Sequence, residues 1–272
     1  MILFGIVTYR ERFWECKSFK SLYHSFKKDK GDDKIHIFIF DNTDIEDWDL
    51  TTPTFQDIKL EYTNDKRNPG ISCAYNTIAE YARQNDYNYI TFLDQDTELP
   101  DNFYEVYKNY SLKDYSLCVP QIHANNRLVS PSRYINFRSV LYENLNTDEL
   151  VLKGNSCINT GMMIKNEIFF MNKGYNSALR LDFCDHEFIE RLSKFDLKMK
   201  IIPIIINQNF SFLDNTKKQD VFRYKLFIKD LKTYANSTNK QLKMFFYVDL
   251  PRLLSLTLRH KSLEFLKIRL RS

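Results

Sequence analysis

Tyr89-Ile90-Thr91-Phe92-Leu93 runs without a break into Asp94-Gln95-Asp96. A short continuous apolar run is the pattern of a strand buried on both faces, as in a parallel sheet. In open α/β sheets, ligands bind beyond the carboxyl ends of the strands. This one segment therefore carries both an architecture and a candidate site.

Upstream, Ile2–Thr8 (ILFGIVT) is a second run of the same kind. Phe13–Lys27 follows, with Phe13, Cys16, Phe19, Leu22, Tyr23 and Phe26 at helical spacing. Ile35–Phe40 (IHIFIF) closes on Asp41-Asn42, which completes a β–α–β unit with an expected right-handed crossover. A strand around Ile58–Tyr62, the turn Asn68-Pro69-Gly70 and a helix over Ser72–Gln84 lead back to Tyr89. Strand and helix alternate, as in a doubly wound α/β sheet.

Downstream, Leu117–Pro120, Met162–Lys165 and Ile201–Ile206 are expected strands, and Glu187–Phe195 is an expected helix. Past Phe222 the pattern is helical, over Phe222–Tyr234 and Phe246–Leu270. The expected organisation is an α/β domain over 1–221 and a helical basic segment over 222–272.

The 272 residues are 43% hydrophobic, which argues against disorder. Most of the 17 tyrosines and 22 phenylalanines are read as core. A net charge of +4 is too mild to imply nucleic acid, but Arg252–Arg271 holds six Lys/Arg against the single acid Glu264. The five cysteines are widely spaced with no C-x-x-C pair, which suits reduced thiols. No signal peptide and no membrane-spanning run is read, so a cytoplasmic protein is expected.

Paired acids on a strand exit can present oxygens to Mg²⁺ or Mn²⁺, which protein carboxylates hold together with substrate phosphates. Acids are also common in surface turns. Asp41 can accept from a base N–H or a ribose hydroxyl, or it can close an Asx-type turn. Asn68-Pro69-Gly70 before a helix offers backbone N–H groups to an anion, with Arg67 beside them to pair phosphate. In Asp182-Phe183-Cys184-Asp185-His186-Glu187, a carboxylate can be a general base or can complement a helix N-terminus. Position alone leaves both readings open.

Taken together, VTYR at 7–10, FDN at 40–42, NPGISCAYN at 68–76, FLDQD at 92–96, NTG at 159–161 and DFCDHEF at 182–188 resemble family 2 glycosyltransferases. They are most similar to the rhamnosyltransferase-like branch. The resemblance covers residues 1–210 and implies the GT-A fold, a Rossmann-like mixed sheet flanked by helices, with the helical segment appended. It implies Thr8 and Asp41 in the nucleotide-base pocket, Arg67 and Asn68 near the base or diphosphate, and Asp94 facing the ribose. It implies Asp96 on a divalent cation (Mn²⁺ or Mg²⁺), Asp185 as catalytic base and Glu187 in support or touching the acceptor. Asn159, Thr160 and Gly161 match a segment on the acceptor side. The implied reaction is inverting transfer from a UDP- or dTDP-sugar to a hydroxyl of a surface-glycan precursor, free or lipid-linked.

One departure concerns the metal. Where relatives carry a histidine after the strand equivalent to Ile201–Ile206, this chain reads Asn207-Gln208-Asn209-Phe210-Ser211. Gln208 is the candidate for that slot, and an amide oxygen is a weaker ligand than imidazole. This motivates the alternative of a degenerate sugar-nucleotide or glycan-binding protein. A nucleotidyltransferase would normally show a Gly-rich phosphate loop after the first strand, and VTYRER has none. The basic C-terminal segment suits peripheral contact with a membrane, or packing on the domain or in an oligomer.

Overall fold

The computed structural model describes residues 1–29, 34–49, 51–208 and 216–272. The readings on Asn209, Phe210 and Ser211 lie outside the described residues.

The first half alternates as the apolar periodicity requires: β1 (Ile2–Thr8), α1 (Lys17–Lys28), β2 (Ile35–Asp41), β3 (Ile58–Asn64), α2 (Ile71–Gln84), β4 (Tyr89–Asp94), α3 (Phe103–Ser111) and β5 (Leu117–Ala124). The helix expected from Phe13 begins at Lys17. Residues 12–16 instead form a turn in which Cys16 N–H bonds the Arg12 carbonyl. Phe13 remains buried against Phe19, so the apolar period reports packing rather than helix there.

Between β5 and the later strands the chain makes short excursions on which the sequence reading was silent. These are β6 (Arg127–Ser130), β7 (Ser132–Ile135), β8 (Arg138–Val140), β9 (Glu149–Val151) and β10 (Asn155–Ser156). Then come β11 (Met163–Lys165), α4 (Asn166–Met171), α5 (Cys184–Leu192), β12 (Lys198–Asn207) and α6 (Lys217–Thr238). The C-terminal stretch is broken into α7 (Gln241–Met244), a π-helical turn (Phe245–Asp249), α8 (Leu250–Arg259) and α9 (Glu264–Arg271).

The main sheet runs β3-β2-β1-β4-β11-β5-β12-β9, with β6 also on β5. Strands β1 to β4 pair in parallel and β12 lies parallel to β5, whereas β11 is antiparallel to both β4 and β5. A second sheet has the order β10-β7-β8. Apolar side chains on the two faces of the main sheet form two cores. One lies under α1 and α3. The other lies under α2 and α5, and extends without a break to Tyr224, Phe227, Leu256 and Phe265. The C-terminal helices therefore share the core of the sheet. No helix among the described residues is long and apolar enough to cross a membrane.

Candidate active site

Strand register gathers the site. Thr8 pairs with Asp41, Val7 with Asp94, and Asp41 with Asn64, so the exits of four strands lie along one sheet edge. Asp41 is buried, and its carboxylate is already engaged. Oδ1 accepts from Thr43 N–H at 2.9 Å, while Oδ2 accepts from Trp48 Nε1 at 2.8 Å and Tyr62 OH at 2.7 Å. Burial, with Asp41 alongside, pushes the Tyr62 phenol well above its ordinary range, so it stays a donor. Beside Asp41, the buried Thr8 Oγ1 and Asn42 Oδ1 have no hydrogen-bond partner among the described residues. Buried polar atoms rarely stay unpaired, so these two oxygens are the open contacts at this end.

Asp94 Oδ1 accepts from Tyr75 OH of α2 at 2.7 Å. Burial raises the Asp94 carboxyl to about 6; the Tyr75 hydrogen bond opposes the shift, and the charges of Asp96 and Asp185 add to it. The charges of Asp96 and Asp185 thus reach Asp94 at the strand end, and Asp96 is exposed. Between the two acids, Gln95 bridges to the β1 exit, its Oε1 accepting from Tyr9 N–H at 2.6 Å.

Among the described residues, no three His, Cys, Asp or Glu side chains come together so as to hold a metal ion by themselves. Carboxylate and amide oxygens are donors that a hard cation takes. Asp94 and Asp96 offer carboxylates, and the buried Gln208 has an Oε1 with no hydrogen-bond partner among the described residues. Gln208 is placed at the end of β12 by its N–H bond to the His123 carbonyl, 2.8 Å.

The acidic cluster divides its work. Phe183 sits in the left-handed region at φ 65°, wedged against Phe227 and Tyr234 of α6, and this turn aims the first turn of α5. Asp185 stands there half-buried, with Oδ1 accepting from His186 N–H at 2.7 Å. The His186 ring bonds Ser156 Oγ at 2.7 Å and stacks on Tyr134. Glu187 is buried, and both of its oxygens are taken by Arg191, at 2.7 and 3.0 Å. Asp182 is held bidentately by Arg223 of α6, at 2.8 Å on each oxygen. Burial pushes the Asp182 carboxyl up, and the Arg223 charge opposes it.

The turn before α2 differs from its sequence reading. The first N–H of the helix, from Ile71, is taken by the Arg180 carbonyl at 2.7 Å. Gly70 allows this approach: its φ is +98°, and a Cβ there would lie 2.4 Å from that carbonyl. Arg180 also donates to the Asn68 carbonyl, while Arg67 is largely exposed and paired with Asp65. The segment at 159–161 lies beneath the D-x-D exit. Thr160 Oγ1 accepts from Asp94 N–H at 3.2 Å and bonds Thr97. Asn159 Oδ1 accepts from Tyr175 OH at 2.7 Å, and Gly161 N–H bonds the Phe92 carbonyl at 2.7 Å.

Sequence reasoning missed Asp230. From α6, 1% exposed, it accepts the backbone N–H groups of Arg180 at 3.1 Å and of Leu181 and Asp182 at 2.9 Å. Nothing in a mid-helix aspartate announces a partner fifty positions earlier. Tyr75, which could have been found, lies inside the NPGISCAYN motif.

Residues 4–170 match the family described as Glycosyl transferase family 2. Among solved structures, S. aureus TarS 1–349 in complex with UDP superposes with a TM-score of 0.54, at 10% identity over 90% of this chain and 72% of that chain. The same fragment with UDP-GlcNAc gives 0.54, at 9% identity over 97% and 79%. GalNAc-T7 with UDP, GalNAc and Mn²⁺ gives 0.54, at 12% identity over 92% of this chain and 56% of that one. At such identities the likeness speaks for the fold alone. No curated protein matches the sequence significantly.

Proposed function

The chain belongs to glycosyl transferase family 2, and from that premise we propose that it moves a hexose or deoxyhexose from a UDP- or dTDP-sugar to a hydroxyl of a surface-glycan precursor, with inversion. The observation that carries this is the strand register that sets Thr8, Asp41 and Asp94 along one carboxyl edge of the sheet, with the charges of Asp96 and Asp185 reaching Asp94 there. Support for the donor class comes from TarS, solved with UDP and UDP-GlcNAc, and GalNAc-T7, solved with UDP, GalNAc and Mn²⁺. The order of the short motifs favours the rhamnosyltransferase-like branch.

In this reading Thr8 Oγ1 and Asn42 Oδ1 meet the base and ribose, on a floor that Asp41 builds by fixing Trp48 and Tyr62. Asp94 faces the ribose, and Arg67 with Asn68 lies at the rim of the diphosphate site. A divalent cation held by Asp96, with Asp94 and Gln208, would neutralise charge on the departing nucleoside diphosphate. Asp185 takes the proton of the acceptor hydroxyl as it attacks the anomeric carbon from the face opposite the leaving group. Glu187 holds α5 rigid through Arg191, and Asn159, Thr160 and Gly161 brace the strand exit from below. This reading places the enzyme in the cytoplasm, with peripheral contact at the inner face of a membrane through the basic C-terminal segment.

The test is nucleoside diphosphate release from a panel of UDP-, dTDP- and GDP-sugars with Mn²⁺, Mg²⁺ or EDTA. Release from one donor, abolished by EDTA and by Asp96→Ala, is expected. The amide at Gln208 favours one other reading, a sugar-nucleotide-binding protein without turnover. A metal-dependent thermal shift with a donor, with no release even when glycan acceptors are supplied, would select that reading.

A further inference from the structure

The inner face of the C-terminal helices is fully committed. Asp249, buried, accepts from Tyr224 OH at 3.1 Å and from Arg269, and His260 bonds Asp220 at 2.7 Å. Leu253, Leu256 and Phe265 point into the core. The outer face has no such partner among the described residues. Leu242, Phe246, Leu254 and Leu258 stand 76%, 59%, 52% and 74% exposed, at multiples of four residues. Spacing by four drifts slowly around an α-helix, and the wide turn of i→i+5 bonds at Phe245–Asp249 takes up part of that drift. At the start of α9 and along it, Leu263, Leu266 and Leu270 are exposed at spacings of three and four. Water-facing apolar residues that recur with helical period mark a surface meant to be covered.

The charges beside these leucines choose the occupant. Lys261, Lys267 and Arg271 are exposed, and no salt bridge within 4.0 Å holds any of them among the described residues. A second copy would bring its own cations against these, so an isologous dimer would set like charges face to face. An anionic bilayer answers both features, taking the leucines at the acyl boundary and the cations at its phosphates. The helices are too short to span and would lie in the plane of the interface.

We propose that the outer face of α7, the π turn, α8 and α9 docks this protein on an anionic lipid surface. The inference deepens the membrane-side placement proposed above and is independent of the transfer chemistry. The full chain would be sedimented with phosphatidylcholine vesicles with and without phosphatidylglycerol, at low and high salt. Two variants join it, Leu254→Glu/Leu258→Glu and Lys261→Glu/Lys267→Glu/Arg271→Glu, each checked for an unchanged melting temperature. Binding confined to anionic vesicles, weakened by salt and by each variant at least about tenfold, is the expected result. Wild type that stays in the supernatant, or that binds both vesicle types equally, overturns the proposal. So does a dimer by light scattering that the leucine pair dissolves. Donor turnover in detergent-free buffer should be the same for all three proteins, so failure at the membrane is separable from failure of the transferase reading.

Discussion

Asp185 and Asp94 sit close enough to oppose each other's charge, yet their settings give them different work. Asp185 is half-buried at a helix N-terminus with one oxygen free of partners among the described residues, as a base that must meet an incoming hydroxyl requires. Asp185→Asn should lower kcat by about 10²–10⁴-fold with little change in donor KM, measured with the donor that the panel identifies. An unchanged kcat would remove it from the role of base. Asp94 is tied to Tyr75 and carries a carboxyl raised to about 6, chiefly by burial. A carboxyl raised on folding destabilises the native state above its folded pKa, and the cost fades as pH falls from about 6 towards the unfolded value. A shift of this size corresponds to about 3 kcal/mol at neutral pH. Asp94→Asn keeps an oxygen for Tyr75, so it should raise the melting temperature at pH 7.5, raise it less at pH 5, and abolish turnover. Melting curves at the two pH values check the sign.

At the scale of elements, α6 holds the loop that delivers α5. Asp230 gathers three N–H groups, Arg223 grips Asp182, and Phe227 with Tyr234 fixes the left-handed Phe183. The same loop caps α2 through Arg180, so one clamp sets both Asp185 and the helix that carries Tyr75. Hydrogen bonds to a charged acceptor are worth about 1.5–3 kcal/mol each, and neighbouring ones do not add fully. Asp230→Ala should therefore cost at least about 3 kcal/mol in urea unfolding and lower kcat more than donor affinity. Asp230→Asn, which keeps one acceptor oxygen, should fall between that variant and the wild type. Equal kcat in all three would show that the clamp serves stability alone.

For the whole molecule, the consequence is that the helical region completes the fold. Tyr224, Phe227 and Leu231 share one core with Tyr75, Phe92 and Phe188. A chain ending at Thr216 would expose that face of the sheet and should be recovered as aggregate. A monodisperse product with a cooperative melt would contradict this. What the sequence by itself determined is the part that repeats locally. The apolar runs of β1, β2 and β4 mark buried strands, and the acids that end them mark the sheet edge where a ligand meets the protein. Those features follow from side-chain period and burial, which act over a few residues. The C-terminal break into α7, α8 and α9 was hidden because apolar spacing continues through it. The excursions from β6 to β10 are too short and too polar to carry a period. Only the tertiary structure decided that Asp41 is spent on Trp48 and Tyr62, that Glu187 is spent on Arg191, and that the α2 N-terminus is capped by Arg180. A carboxylate's role depends on which donors reach it, and here those donors come from turns and helices far along the chain.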